Sequence, residues 1–457
     1  YYSQMTGSID SVKFATQNYL SQQTFTFRSV YALRIKSMLN YKWSKTSESN
    51  VAFMYRDNSI KQNPAYSIGS TSNPAVFRGQ INDNAFRTYA LFAQHVQKLP
   101  FLNSKIIAGA SLDLSPQSYY AKFISIQKDL ATGKYVSYTM PAKDSMLSNY
   151  ATDITNLASF VNYEATIFAG LKLVAALRYD AFKYGFDTKI LKGSPDTTNK
   201  FNRVTPKIGL TYNYKGIGFY TNYSEGYVPP QLTELYSNSV SKIPTLLPQS
   251  FKNYEVGGWF SLVKNKLYLD WSLYQLEGAD EIISVKQPDN TSMNQNAGKT
   301  KHTGIEYGIN YKHNSQLSFR FTGTNAKHSF VDNIVGGVNY NGKEMSSAPR
   351  FVCNVEINYK PIFVKGLRLS AEWQHQSKYF MDDLNNYQYT GFDVVNLRIG
   401  YQYKKAEIWC NALNALNKFY AINATKSSTS SGSASYSYTL GDPREITIGL
   451  AIKLQKQ

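Results

Sequence analysis

Two cysteines, Cys353 and Cys410, stand in 457 residues, so no disulfide framework can be argued. Each falls in the apolar register of an alternating segment and reads as a small hydrophobe. Nowhere is there an uninterrupted apolar run of about 18 residues, which excludes a helical membrane span. A mean hydropathy of -0.38 is also too polar for a bundle of membrane helices. The five histidines, His95, His302, His313, His328 and His375, have no metal-ligand spacing, so neither a resident metal nor a cofactor is expected. At Tyr1 there is no initiator Met, basic n-region or apolar h-region, so any export signal has been removed or lies outside this sequence. Acidic residues are few, 31 Asp and Glu against 49 Lys and Arg, for a formal charge of +18. The basic residues are scattered, with no zinc-finger spacing and no Lys/Arg-rich run, which argues against nucleic acid as a partner. A basic wall or basic loops suit an anionic ligand or anionic lipid headgroups, while solvated turns and loop tips account for most of the charge.

What the sequence does have is aromatic residues and alternation. Aromatics are 15% of the chain, with 37 Tyr, as a soluble all-β protein or the interfacial girdles of a membrane barrel would require. Leu267, Leu269, Trp271 and Leu273 share one face of a strand and Tyr268, Asp270, Ser272 and Tyr274 the other. The same holds for Leu317, Phe319 and Phe321 against Ser318, Arg320 and Thr322. Leu367, Leu369, Ala371 and Trp373 oppose Arg368, Ser370, Glu372 and Gln374, and Ile446, Ile448, Leu450, Ile452 and Leu454 oppose Thr447, Gly449, Ala451 and Lys453. Sandwich strands typically run about five or six residues, and these run longer. The fold expected is therefore all-β, a transmembrane antiparallel β-barrel spanning 1–457, with about seventeen strands visible.

Short turns are expected near Lys45 to Asn50, Leu99 to Ser104, Phe168 to Leu171, Asn213 to Lys215, Val263 to Lys266, Lys312 to Gln316, Lys360 to Gly366 and Tyr403 to Lys405. Long loops fall near 60–84, 117–156, 188–200, 225–251, 277–300, 329–348, 377–390 and 419–442. They interleave, which assigns the short turns to the periplasm and the long loops to the outside. The first strand, near Thr24 to Trp43, runs downward; an even-stranded barrel would need an upward strand before it, so the barrel is expected to be N-terminally incomplete. Pro229 and Pro230 end a strand at the outer rim. Gly209, Gly257 and Gly400 relieve crowding on the wall, and Asn414 and Asn417 bond backbone near the last hairpin.

Several motifs in order also carry a resemblance. LRYD at 177–180, VTPKIGLTY, YSEGYVPPQLTELY, LPQSFKNYEVG, NQNAGKTKHTGIEYGINY at 294–311, APRF at 348–351, WCNALNALNKFY at 409–420 and GDPREITIGL at 441–450 are similar to the barrel of TonB-dependent outer-membrane receptors. That resemblance implies a barrel of about 22 strands filled by an N-terminal plug, which is absent from this sequence. It implies import of a scarce nutrient, most often a ferric siderophore, into a bacterial cell across its outer membrane. The pull would come from the TonB complex acting on a missing N-terminal segment, and a surface lipoprotein could serve as lid. The chain departs from the pattern in ending Leu454, Gln455, Lys456, Gln457, where the family usually ends on an aromatic. The box at 227–236 lacks the Arg of the haem-receptor version and no His lies from 225 to 301, so a haem or cobalamin receptor is the lesser alternative.

Ligand contacts are expected from Tyr135, Tyr138, Lys189, Lys192, Tyr379, Tyr387 and Tyr436, which offer an aromatic face or a cation at loop positions to a ferric chelate. Tyrosines at a barrel mouth are equally ordinary girdle. Arg320, Arg368, Glu372, Arg398, Glu306 and Glu356 face the lumen, to pair with the plug or with one another. No catalytic residues are expected: Ser377, Asp382 and Asp383 lie near His375, but no motif sets them as nucleophile and base. A passive porin-like or structural barrel is the main rival, since it needs the same wall and no plug.

Overall fold

The computed structural model describes residues 2–4, 7–19, 25–64, 68–141, 145–190, 196–236, 245–263, 266–286, 292–296, 298–335, 337–428 and 434–453. Its main sheet has twenty strands, of which three are short and seventeen form one wall. In chain order the wall strands are β1 (Phe27–Lys42), β2 (Ser47–Asn63), β3 (Val76–Leu99), β4 (Ser104–Lys128), β5 (Met146–Phe168) and β6 (Leu171–Thr188). There follow β7 (Thr197–Tyr214), β8 (Ile217–Val228), β9 (Gln249–Val263), β10 (Leu267–Ala279), β11 (Lys299–Lys312) and β12 (Leu317–Asp332). The last are β13 (Phe351–Tyr359), β14 (Leu367–Gln376), β15 (Phe392–Tyr403), β16 (Ala406–Leu413) and β17 (Glu445–Ile452). Each pairs antiparallel with the next, so the wall is a simple meander.

Register turns the alternation of the sequence into two continuous faces. Val256, Leu273 and Ile305 stand side by side across β9, β10 and β11, and Phe321, Val355, Trp373 and Val395 continue that face across β12 to β15. The opposite face carries Glu255, Tyr274, Ser272 and Glu306, then Thr322, Asn354 and Gln374. The apolar face keeps large side chains exposed, Leu177 at 51%, Ile208 at 51% and Ile448 at 70%, as a wall toward lipid must.

The turn between β7 and β8 lies one residue later than the sequence reading. Tyr214 pairs with Ile217, so the loop is Lys215 and Gly216, both at positive φ (49° and 88°). Two successive positive φ values give the turn whose twist matches the strands, and Gly216 takes the second at no steric cost. The first turn, by contrast, lies earlier, between Lys42 and Ser47, because β2 already pairs from Ser47. Upper strand ends outrun the expected loop limits, β4 reaching Lys128 and β5 starting at Met146. Loops 280–298, 333–350, 377–391 and 414–444 hold two-stranded hairpins of their own.

Among the described residues β1 and β17 do not pair with each other. On the edge of β1 away from β2, the described residues include only the three-residue strand Tyr2–Gln4, which pairs with Phe27 to Ser29. Leu454, expected to extend the last apolar face, is outside the described residues.

Candidate functional site

The inner wall is built from cross-strand polar pairs. Glu372 of β14 accepts from Arg398 Nη2 at 2.6 Å, Asn354 Nδ2 at 2.5 Å, Asn396 Nδ2 at 3.1 Å and Gln374 Nε2 at 3.2 Å. Four donors on one carboxylate satisfy its lone pairs on a wall where an unpaired charge would be costly. Register sets Arg320 opposite Glu356 and Glu356 opposite Glu372, with Glu356 accepting from Asn358 at 2.8 Å. Arg368 pairs with Glu407, and Gly400 leaves the room its guanidinium uses, 3.1 Å from where a Cβ would stand. Glu306 lies between Ser272 and Thr324 and helps line a groove of about 720 Å³ with Glu255, Asn354 and Gln374. The six residues expected on the lumen thus share one face.

Above this wall the loop after β8 folds against the aromatics of neighbouring strands. Val228 ends β8 before Pro229 and Pro230, and a one-turn helix, Leu232–Leu235, starts with a capping box between Gln231 and Glu234. Leu235, Tyr236 and Leu246 bury against Tyr184, Phe186 and Phe201. Tyr236 stacks on Phe186 at 4.0 Å and donates its hydroxyl to Asn199 at 2.7 Å. Burial pushes its phenol above the ordinary range.

A second loop assembly gathers 377–391, the hairpin of 421–428 and 434–440, and the helix Ser11–Ala15. Phe14 stacks on Tyr438 at 4.1 Å, and Ile9 and Tyr438 exchange backbone hydrogen bonds, both 2.9 Å. Tyr379 is 4% exposed; its hydroxyl accepts the Ala424 N–H at 2.7 Å, and burial pushes it up to about 12. Near it Lys426 Nζ lies 2.8 Å from the Tyr387 ring centroid and 4.5 Å from that of Tyr436, and donates to the Tyr436 hydroxyl at 3.0 Å. Tyr387 and Tyr436 meet edge to face at 6.1 Å, and Tyr387 stays 41% exposed.

Of the expected ligand residues, Tyr379, Tyr387 and Tyr436 come together here, although buried Tyr379 is a support rather than a contact surface. Tyr135 is 7% exposed and packs on Phe77 at 5.1 Å, in a core with Ile124 and Ile126. Such a phenol has no free face to offer a ligand, which corrects its expected role. Tyr138 leans on Phe25 at 5.3 Å. Lys189 pairs with Asp187, and Lys192 lies outside the described residues. Sequence reasoning misses Lys426, whose Ser/Thr-rich surroundings read as loop. It also misses His302 and His328, which pairing brings opposite each other with Nδ1 atoms 2.7 Å apart. No group of three or more metal-binding side chains occurs among the described residues. Ser377 accepts the Phe351 N–H, Asp382 caps Asn386 and Tyr387, Asp383 accepts the Ser346 N–H, and His375 bonds Asp393. Each is engaged in holding a loop or rim, and Ser377 bonds neither His375 nor the two aspartates.

An antiparallel meander, apolar outside and charge-paired inside, with tight turns at one end and folded loops at the other, is the wall of an outer-membrane β-barrel. The family model described as "TonB dependent receptor-like, beta-barrel" matches residues 2–424, and the chain belongs to that family. It is a family of receptors and transporters rather than enzymes. In fold the chain is similar to the siderophore receptor PiuA from Acinetobacter baumannii (15% identity, TM-score 0.72, covering 93% of this chain and 64% of that one). It is similar to the ferric citrate transporter FecA (12%, 0.75, 98% and 66%) and to the ferric-catecholate import receptor Fiu from E. coli K12 (13%, 0.73, 98% and 70%). The chain thus spans about two thirds of the length of these proteins.

Proposed function

We propose that the full-length protein is a TonB-coupled importer of a ferric chelate of the siderophore class in the outer membrane of a bacterium. The observation that carries this reading is Lys426 held between the rings of Tyr387 and Tyr436 on the outer loops. An anionic chelate with flat ligand groups meets there a cation and two aromatic faces. Structural neighbours named for siderophores, ferric citrate and ferric catecholates support the cargo class. Among the described residues most of the outer edge of β1 and one edge of β17 have no strand partner, which supports further strands in the full-length protein, because unpaired backbone groups in hydrocarbon cost several kcal/mol each. A plug held against the Arg and Glu of the inner wall would gate the lumen.

The test is uptake of a panel of ⁵⁵Fe-loaded siderophores by cells whose only ferric-chelate receptor is this full-length protein. Saturable uptake of one chelate, abolished by a protonophore and by deletion of TonB, is the expected result. Steady ion conductance in planar bilayers without saturable uptake would instead make it a passive porin.

A further inference from the structure

The excess positive charge has a structural address. Each of the eight short turns carries a lysine within two residues: Lys45, Lys98, Lys172, Lys215, Lys266 and Lys312 on the first six, then the pairs Lys360 and Lys365, and Lys404 and Lys405. None of these forms an ion pair among the described residues, and the pairs at this end are Lys105 with Glu164 and Arg368 with Glu407. At the loop end, by contrast, Asp129, Asp187, Asp196, Asp280, Asp382 and Asp442 interleave with the lysines.

Large aromatics crowd the same rim. Trp43 is 64% exposed, Phe101 73%, Phe168 58%, Phe363 82% and Tyr403 60%. Lys215 Nζ lies 5.0 Å above the Tyr214 ring and Lys404 Nζ 5.4 Å above that of Tyr403. Rings with an ammonium beyond them belong at a lipid interface, the ring among the upper acyl chains and the cation at headgroup depth. At the first turn Lys42, Lys45 and Lys98, with the hydroxyls of Ser44, Thr46 and Ser47, line a pocket of about 420 Å³ that also includes Glu48.

We infer that the short-turn rim binds anionic phospholipid headgroups of the inner leaflet, and that the pocket of Lys42, Lys45 and Lys98 seats one headgroup phosphate. Three ammonium groups and three hydroxyls suit a phosphodiester, and the adjoining exposed rings suit its acyl chains. The ring of lysines would then anchor the barrel at a fixed depth. A lysine near an anionic membrane surface contributes roughly fivefold in affinity, so three contribute on the order of a hundredfold.

The inference rests on the membrane reading of the barrel and not on its cargo. Purified full-length receptor is titrated with phosphatidylglycerol or phosphatidylcholine of matched chains, and bound lipid is counted by native mass spectrometry. Preferential retention of phosphatidylglycerol is expected. Joint replacement Lys42→Gln, Lys45→Gln and Lys98→Gln is expected to remove most of it, and the three Lys→Arg changes to keep it. A second variant, Lys215→Gln with Lys404→Gln and Lys405→Gln, gives an independent reading if the first misfolds, and should lower retention less. Equal retention of both lipids, or unchanged retention in the folded neutralised variants, overturns the inference. Full displacement by soluble glycerol phosphate also overturns it, by assigning the pocket to a free anion. No lipid preference in the unsubstituted receptor, with its ferric-chelate uptake intact, would sink this inference alone.

Discussion

The buried hydroxyl of Tyr379 accepts the backbone N–H of Ala424 at 2.7 Å, and so ties the 377–391 loop to the hairpin that carries Lys426. Replacing Tyr379 with Phe keeps the ring but leaves that N–H without a partner in a closed site. An unsatisfied buried donor costs about 1–3 kcal/mol. Tyr379→Phe is expected to loosen the hairpin while the strands stay intact. Faster amide exchange at 421–428 with unchanged exchange in β9 to β12 is the reading that checks it; equal exchange throughout would show that the bond holds nothing.

The Lys426 cluster gives a sharper prediction, because its charge and its rings can be removed separately. Lys426→Ala is expected to weaken binding of the imported ferric chelate about tenfold, the order of a partly desolvated cation–aromatic contact. Tyr387→Phe should bind normally, since the ring remains, whereas Tyr387→Ala should lose a similar factor to Lys426→Ala. Quenching of intrinsic fluorescence by the ferric chelate measures each. Normal affinity in Lys426→Ala would remove the cluster from the binding surface.

Much of the wall was legible in sequence because its two solvents differ. Lipid on one side and a polar lumen on the other force the alternation seen in Leu267 to Tyr274 and again in Leu367 to Gln374, and structure keeps those faces. What was not legible depends on register and on burial within loops. His302 and His328 are 26 residues apart and meet only because β11 and β12 pair in that register. Tyr135 and Tyr387 both look like loop tyrosines, yet one is sealed under Phe77 and the other exposed, which no local pattern distinguishes. The late turn at Lys215 and Gly216 was a matter of letting Gly take the positive φ.

Acid should act on one loop junction. Arg350 bonds Glu344 through Nε at 2.8 Å and through Nη2, and this pairing holds the Glu344 carboxyl below its ordinary value of 4.5. A depressed folded value means that the stabilisation is complete above 4.5 and is lost as pH falls through the folded value. Asn385 links the same segment to the next loop, accepting the Glu344 N–H at 2.8 Å and donating to its carbonyl at 2.8 Å. Proteolysis within 333–350 should therefore be insensitive to pH between 7 and about 5 and should rise only in stronger acid. Glu344→Gln should be cleaved faster at neutral pH and should lack the acid step. An acid step of unchanged size in that variant would place its origin elsewhere.

Gly257 tests how tightly the inner wall is packed. A Cβ there would lie 2.6 Å from the Tyr220 ring and 2.6 Å from the Trp271 carbonyl oxygen. The ring covers the glycine because Tyr220 and Gly257 are paired across β8 and β9, while its hydroxyl donates to Glu255 at 2.5 Å. A bulky side chain can enter only by turning Tyr220 away, which breaks that bond, or by parting β9 from β10, which breaks their ladder. Overpacking of this kind costs typically about 1–3 kcal/mol. Gly257→Val is expected to lower the temperature at which the folded barrel loses its fast mobility in unheated gels. Pairing it with Tyr220→Ala, which empties the space, should restore part of the loss. Failure of that rescue would mean that the carbonyl of Trp271, and not the ring, sets the limit at this position.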